Sequence, residues 1–267
     1  MDLHTVDSWR TPRTRGDLRL APGEALVAGG SWLFSEPQES LSSLVDLTGM
    51  GWLPWTIHDD GLSVSATCTI AQLLEPPARV DWTAAGLFRQ CAEAFLMSFK
   101  IWNTATIGGN LCLALPAGAM ISLGAALDAE VVVWTPDGGQ RREQVASFVR
   151  GVRVTSLRPG EVLRSIEFDL AALRGRTAFR KLALTPLGRS SSVVTGRLDA
   201  DGRITLAVTA ATRRPYVFHF GQPPTDDAVQ RALASIDGWY DDAHGSADWR
   251  AAISLGLAYE VCEELRS

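Results

Sequence analysis

From Ile101 through Leu127 the chain carries no charged side chain, 27 residues flanked by Lys100 and Asp128. Such a stretch must lie in lipid or inside a protein. A bilayer span wants about 20 predominantly apolar residues in an unbroken helix. Gly108, Gly109, Asn110, Pro116 and Gly118 interrupt this one, and in lipid they would leave backbone groups unpaired. No membrane span is therefore expected, and the stretch is read as protein interior. It opens on Asn103-Thr104, reaches the pair Gly108-Gly109, and after Pro116 continues as a small-residue helix to Leu127.

The glycine pair has two readings. It is a tight turn, or it is a place where backbone approaches a ligand, since glycine accepts positive φ and has no Cβ. Successive N–H groups in such a turn make an anion-binding concavity. No lysine sits there, so a phosphate would be held by amides and hydroxyls. A second pair favours the ligand reading. The apolar run Ala25-Leu26-Val27-Ala28 leads directly into Gly29-Gly30-Ser31. Two strand-then-glycine turns facing one another across a cleft could cradle a diphosphate. Ser31, Thr106 and Asn110 would add hydroxyl and amide contacts.

Charge and cysteine usage remove other classes. The net charge is −5, which offers no basic footprint for nucleic acid. Cys68, Cys91, Cys112 and Cys262 are scattered without a C-x-x-C pair, so no iron–sulfur or zinc site is expected within the chain. Cys91 and Cys262 fall on apolar helix faces and read as core thiols. The four histidines have no metal-ligand spacing. No nucleotide fingerprint of the G-x-x-x-x-G-K-[ST] or G-x-G-x-x-G type occurs. The first residues lack the apolar core of a secretion signal, and a reducing cytoplasm is the expected compartment.

Periodicity gives an α+β order. Residues 55–57 and 62–66 flank Asp59-Asp60-Gly61 as a hairpin, and residues 69–74 follow as a short helix. Residues 81–99 read as one helix, with Leu87, Cys91, Phe95 and Phe99 on a four-residue repeat. Residues 129–134 form a strand turned by Pro136-Asp137-Gly138-Gly139, and 149–158 read as an Arg- and Gly-rich loop. After Leu173 the texture changes to an antiparallel meander: 177–184, 191–198, 203–210, and a return at Tyr216-Val217-Phe218. Helices at 225–235 and 247–265 close the chain. The second has Ser246 as N-cap and an apolar stripe of Trp249, Ile253, Leu257 and Val261.

VAGGSWLF (residues 27–34) resembles the first flavin loop of the FAD-binding subunits of molybdenum hydroxylases, the group containing xanthine dehydrogenase and carbon monoxide dehydrogenase. TATIGGN (residues 104–110) resembles the second loop, and LRPGEVLRSIEF (157–168) resembles the strand that closes the flavin domain. The resemblance implies a two-lobed FAD-binding domain at 1–173. It implies a small C-terminal domain at 174–267 with a three-stranded antiparallel sheet and helices. It implies non-covalent FAD held by Ala28, Gly29, Gly30, Ser31, Trp32 and Leu33 on one side, and by Thr104, Thr106, Ile107, Gly108, Gly109 and Asn110 on the other. Asp128, in Ala126-Leu127-Asp128-Ala129, would hold a ribose hydroxyl. Phe179 and Lys181 would approach the flavin from the second domain. No residue of the chain takes a catalytic or metal-binding role.

By the same resemblance the flavin relays electrons from a 2Fe-2S partner subunit, itself fed by a molybdopterin subunit, to a small-molecule acceptor. Alternatives are a free-standing FAD-dependent oxidoreductase of the same fold, or a structural subunit with weak or no FAD binding. The chain departs from the family at several polar positions. Trp102 stands where an Arg is usual, Leu115 where a Ser is usual, and Ala119 where an Asp is usual. Leu184-Thr185-Pro186 replaces an Arg-Arg and its following Asp.

Overall fold

The computed structural model describes residues 3–75 and 81–267. Ser8–Arg10 (β1), Glu24–Val27 (β2) and Ser43–Asp46 (β3) form a parallel sheet in the order β1-β3-β2. Leu44 and Val45 bury the middle strand. Arg10 spans it to reach Glu24 at 2.7 Å and ties the two outer strands together. Because β2 stops at Val27, the first glycine pair begins one residue beyond its carboxyl end.

The second lobe starts with the expected hairpin, Trp55–His58 (β4) and Gly61–Ser65 (β5). Thr69 and Gln72 cap one another's backbone N–H at Ile70–Leu73 (α1), a reciprocal arrangement that satisfies two helix-end donors. Ala85–Ala94 (α2) buries Leu87, Phe88, Cys91 and Ala92. The helix read over 81–99 ends at Ala94, a correction with a local cause. Leu96 adopts φ 51°, and the chain restarts as Phe99–Trp102 (α3). Phe99 is 83 % exposed instead of extending the buried stripe.

Ile107–Leu113 (α4) and Ala119–Ala126 (α5) follow. Glu130–Trp134 (β6), Gln140–Gln144 (β7), Val145–Phe148 (α6), the small hairpin Val149–Gly151 (β8) and Val154–Thr155 (β9), Val162–Asp169 (β10) and Leu170–Leu173 (α7) complete this part. Residues 149–158, expected as loop, therefore contain the β8–β9 hairpin. The five-stranded antiparallel sheet has the order β4-β5-β10-β6-β7. Every residue of α5 is buried, as a helix without a polar face must be.

The remainder has its own core. Arg176–Leu182 (β11), Ser192–Leu198 (β12), Ile204–Thr209 (β13) and Tyr216–Phe220 (β14) pair in sequence order as an antiparallel meander. The sheet thus has four strands where the resemblance implied three; the return at Tyr216 is fully paired to β13. Asp226–Ala234 (α8) and Ala247–Arg266 (α9) cover it. Ser246 caps α9 as expected. The inner face of α9 is rotated from the expected stripe. Leu257 and Val261 are buried, but Arg250 and Ser254 are inside in place of Trp249 and Ile253.

Arg250 explains the rotation. Its side chain is among the largest fully buried ones, with the residue 1 % exposed. Its guanidinium donates to the carbonyls of Gly245 (3.0 Å), Ser191 (3.1 Å) and Ala210 (2.6 Å), and to the Asp242 carboxylate. Ala210 has φ 63°, and its N–H donates to Pro116 C=O at 2.9 Å. Helix α9 thereby grips the chain on both sides of β12 and β13. Removing one member of a buried charged cluster strands the others and costs about 3–5 kcal/mol. Arg250→Met is expected to lower the unfolding free energy by roughly that amount in urea titration. A loss of only about 0–1 kcal/mol, the size of an exposed ion pair, would show the clasp to be dispensable.

Candidate functional site

The two glycine pairs meet. A Cβ on Gly29 would stand 1.6 Å from the Thr104 carbonyl oxygen, so the first loop crosses the second in direct backbone contact. Between them lies a cavity of about 580 Å³. Its lining is mostly apolar, with Phe95, Met97, Ile101, Leu113 and Leu115 opposite the glycine loops. Among the described residues no Asp, Glu, His or Lys lines it, and Arg189 is the one charged residue that does.

The first loop presents donors. Gly30 has φ 65°, and a Cβ there would fall 2.4 Å from the Phe34 ring, so only glycine fits. The turn is closed by Phe34 N–H on Gly30 C=O at 2.9 Å and Ser35 N–H on Trp32 C=O at 2.9 Å. The backbone N–H groups of Gly29, Gly30, Ser31 and Trp32 have no acceptor among the described residues. The indole N–H of Trp32 is buried and also without a partner. Buried donors without partners are uncommon in finished proteins. Half-buried backbone amides in a row beside that indole and a cavity fit a ligand rich in acceptor oxygens, and a diphosphate is such a ligand.

The second glycine pair is built differently from the expected ligand turn. Gly108 and Gly109 sit in the first turn of α4, and their amides are already occupied. Gly108 N–H donates to Ala66 C=O (3.1 Å) and Gly109 N–H to Thr106 Oγ1 (3.0 Å). Gly108 is a packing glycine, for a Cβ there would lie 2.5 Å from Ala66. Gly109 lines the cavity, and the nearest atom to its would-be Cβ is Thr106 Oγ1 at 2.9 Å. Thr106 Oγ1, accepting from Gly109, keeps its own proton to donate. Asn110 Oδ1 accepts from Met120 N–H at 3.1 Å, which leaves the Asn110 amino group for the cavity.

Of the expected residues, Ala28, Gly29, Gly30, Ser31, Trp32, Leu33, Thr106, Gly109 and Asn110 line this one cavity. Thr104, Ile107 and Gly108 stand behind its wall. Thr104 Oγ1 donates to Lys100 C=O at 3.1 Å, and Ile107 is buried in the core. Asp128 lies elsewhere. At φ 47° it accepts from Arg197 at 2.8 Å and lines a separate depression with His219 and Gln144. Phe179 packs on the first core. Lys181, whose pKa burial lowers, is likewise outside the cavity.

Residues the sequence did not single out are Phe95 and Met97 after α2, Cys112 on α4, and Arg189 and Ser190 before β12. Cys112 shared the uncharged stretch with the glycine pair. Arg189 had no local signal, because only the tertiary fold brings it to the wall. Cys112 is the exposed thiol among the four and opens into the cavity.

A family model described as the FAD binding domain in molybdopterin dehydrogenase matches residues 17–168, more than half of the chain. No curated protein matches it in sequence. Among solved structures, quinoline 2-oxidoreductase from Pseudomonas putida 86 superposes with a TM-score of 0.80 at 21 % identity, over 97 % of this chain and 96 % of that one. Carbon monoxide dehydrogenase from Oligotropha carboxidovorans gives 0.81 at 20 % identity, over 97 % and 98 %. The enzyme of that name from Hydrogenophaga pseudoflava gives 0.80 at 19 %, again over 97 % and 98 %. At these identities the likeness is one of fold.

Two measurements check the site. Gly109→Val puts a branched side chain into the cavity at an overlap cost of about 1–3 kcal/mol. At a factor of ten per 1.4 kcal/mol, FAD binding should weaken by roughly 10- to 100-fold in a fluorescence titration, with cooperative melting retained. Gly108→Ala should instead lower stability, since it meets Ala66. Equal FAD affinity for Gly109→Val and the parent chain would refute the placement. Cys112 should react with a mercurial in the FAD-free protein and be protected once FAD is added; equal labelling in both states would place the thiol away from the cofactor. Free amides beside an apolar cavity suit a dinucleotide with a large ring, and with the family match over 17–168 they lead to one conclusion: the chain belongs to the FAD-binding-domain family of molybdopterin dehydrogenases, and FAD is its cofactor.

Proposed function

We propose that the chain is the electron-relay flavoprotein of a molybdenum hydroxylase-type oxidoreductase. Electrons would arrive from a 2Fe-2S partner subunit served by a molybdopterin subunit, and leave to a small-molecule acceptor. The observation that carries this reading is a cavity with donors and apolar walls but, among the described residues, no Asp, Glu, His or Lys. Oxidation of an organic substrate at the flavin ordinarily needs a group to take the substrate's proton; a relay between redox centres does not. FAD supplies the ability to accept electrons singly or in pairs. The chain's own residues bind and orient it. The amides of residues 29–32 and the Thr106 hydroxyl would bind phosphate oxygens, and Phe95, Met97 and Leu115 would pack against the ring and exclude water from it.

Two further points support the reading. Among the described residues no three His, Cys, Asp or Glu gather as metal ligands do, so an iron–sulfur donor would sit on another polypeptide. Among the solved structures of this fold, one carbon monoxide dehydrogenase is described as a Cu,Mo enzyme, and another as lacking the Mo-pyranopterin moiety of the molybdenum cofactor. We also divide the chain at 173/174, because the first core ends at Leu173 and the second begins at Ala178.

Stopped-flow absorbance of the flavin band tests the relay. The isolated chain should be reduced slowly by aldehydes, purines or carbon monoxide, and quickly once iron–sulfur and molybdenum subunits are added. Rapid reduction of the isolated chain by a small organic substrate would instead identify a free-standing oxidoreductase.

A further inference from the structure

Among the described residues the one charge on the cavity wall comes from the second part of the chain. Arg189 stands exposed at the mouth and has no carboxylate partner among the described residues. The backbone after it is held on several sides. Ser190 Oγ donates to Ala94 C=O at 3.3 Å, and Ser191 N–H to Leu182 C=O at 2.8 Å. Ser191 Oγ donates to His244 C=O at 2.7 Å, while Ser191 C=O accepts from Arg250 at 3.1 Å. The Ser190 bond ties the residue after Arg189 to Ala94, and Arg189 lines the same cavity as Ala94, Phe95 and Met97, an apolar surface suited to a ring. The unpartnered amides that suit phosphate belong to another segment, residues 29–32.

We propose that Arg189 is the cation facing the flavin ring, and that it favours the reduced form of the bound cofactor. The inference rests on FAD occupying this cavity. Uptake of two electrons with one proton leaves the ring one unit more negative. A fixed guanidinium beside an apolar wall stabilises that charge more than water would. Arginine stays protonated through the physiological range, and its planar group also lies well against an aromatic face. Charge placed near the reactive edge of a flavin is a recognised way for a protein to set its potential. The cofactor would therefore be bound by the first part of the chain and tuned by the second. Arg250, through Ser191, acts as a positioning residue for that contact.

The test compares the FAD-loaded parent chain with Arg189→Gln and Arg189→Lys. Midpoint potentials are read by equilibration with reference dyes, and FAD, riboflavin and ADP affinities by titration of the FAD-free proteins. Arg189→Gln should weaken binding of reduced relative to oxidised FAD by about tenfold, which for two electrons is a potential about 30 mV lower. Arg189→Lys should retain most of the parent value, and riboflavin affinity should fall in parallel with FAD affinity in Arg189→Gln. An unchanged potential in a yellow Arg189→Gln protein overturns this inference alone. Loss of FAD and ADP affinity with riboflavin binding intact assigns Arg189 to the diphosphate and also overturns it. A parent chain that stays colourless after FAD addition overturns both this inference and the cofactor beneath it.

Discussion

Burial of α5 on every face is the constraint the rest of the structure answers to. Each residue from Ala119 to Ala126 is inside. A charge placed there would lose its hydration without a partner, at a cost of several kcal/mol, and this explains why the flanking stretch carries none. Close packing also sets residue size. A Cβ on Gly124 would meet the Val145 side chain at 2.8 Å. The one hydroxyl on the helix, Ser122, is matched by Thr209 across the interface at 2.6 Å. Helix α5 therefore belongs to the first core and meets the second sheet through Ser122, and its ends locate the cavity and the Arg197 ion pair. At its start Met120 N–H holds the Asn110 side chain at the cavity. Just past its end Asp128 turns into φ 47° to meet Arg197.

Four glycines that look alike in sequence serve four purposes. Gly29 permits the two loops to cross, Gly30 takes a left-handed turn, Gly108 seats α4 against Ala66, and Gly109 keeps the cavity open. The first pair offers unpaired amides, and the second has spent its amides on the helix start. The asymmetry means that the first loop supplies the backbone donors for an anion. The second supplies shape, the Thr106 hydroxyl and the Asn110 amino group. Leu115, where the resemblance leads one to expect a Ser, then falls on the wall that already contributes fewer donors, while Ala119 lies in the core behind it.

The two parts of the chain are joined by polar contacts of unequal burial. Arg197, 5 % exposed, bonds to Asp128, Asp199 and the Ala126 carbonyl. A buried ion pair adds little net stability, but it fixes register. Here it fixes the second sheet against the end of α5. The Arg250 clasp does the same at Ala210 and Ser191. The cavity wall made by Leu115, Gly118, Arg189 and Ser190 is held by both.

The sequence alone was enough for most of the order of elements, the lack of a membrane-spanning pattern in the uncharged run, and the meeting of the two glycine loops. Those features are written in local chemistry: period-two alternation in β5, the cap at Thr69, the uncharged run around α5. Local pattern could not end α2 at Ala94, because a four-residue apolar repeat continues to Phe99 while the backbone turns left-handed at Leu96. Nor could it choose the face of α9, where a buried arginine satisfied by carbonyls from two strands outweighs the hydrophobicity of Trp249 and Ile253. Asp128 was placed by the motif around it and moved by a partner 69 residues away, Arg197. Arg189 was decided by tertiary structure alone, since its meaning depends on a cavity whose other walls are built from residues 26–33, 94–101 and 105–118.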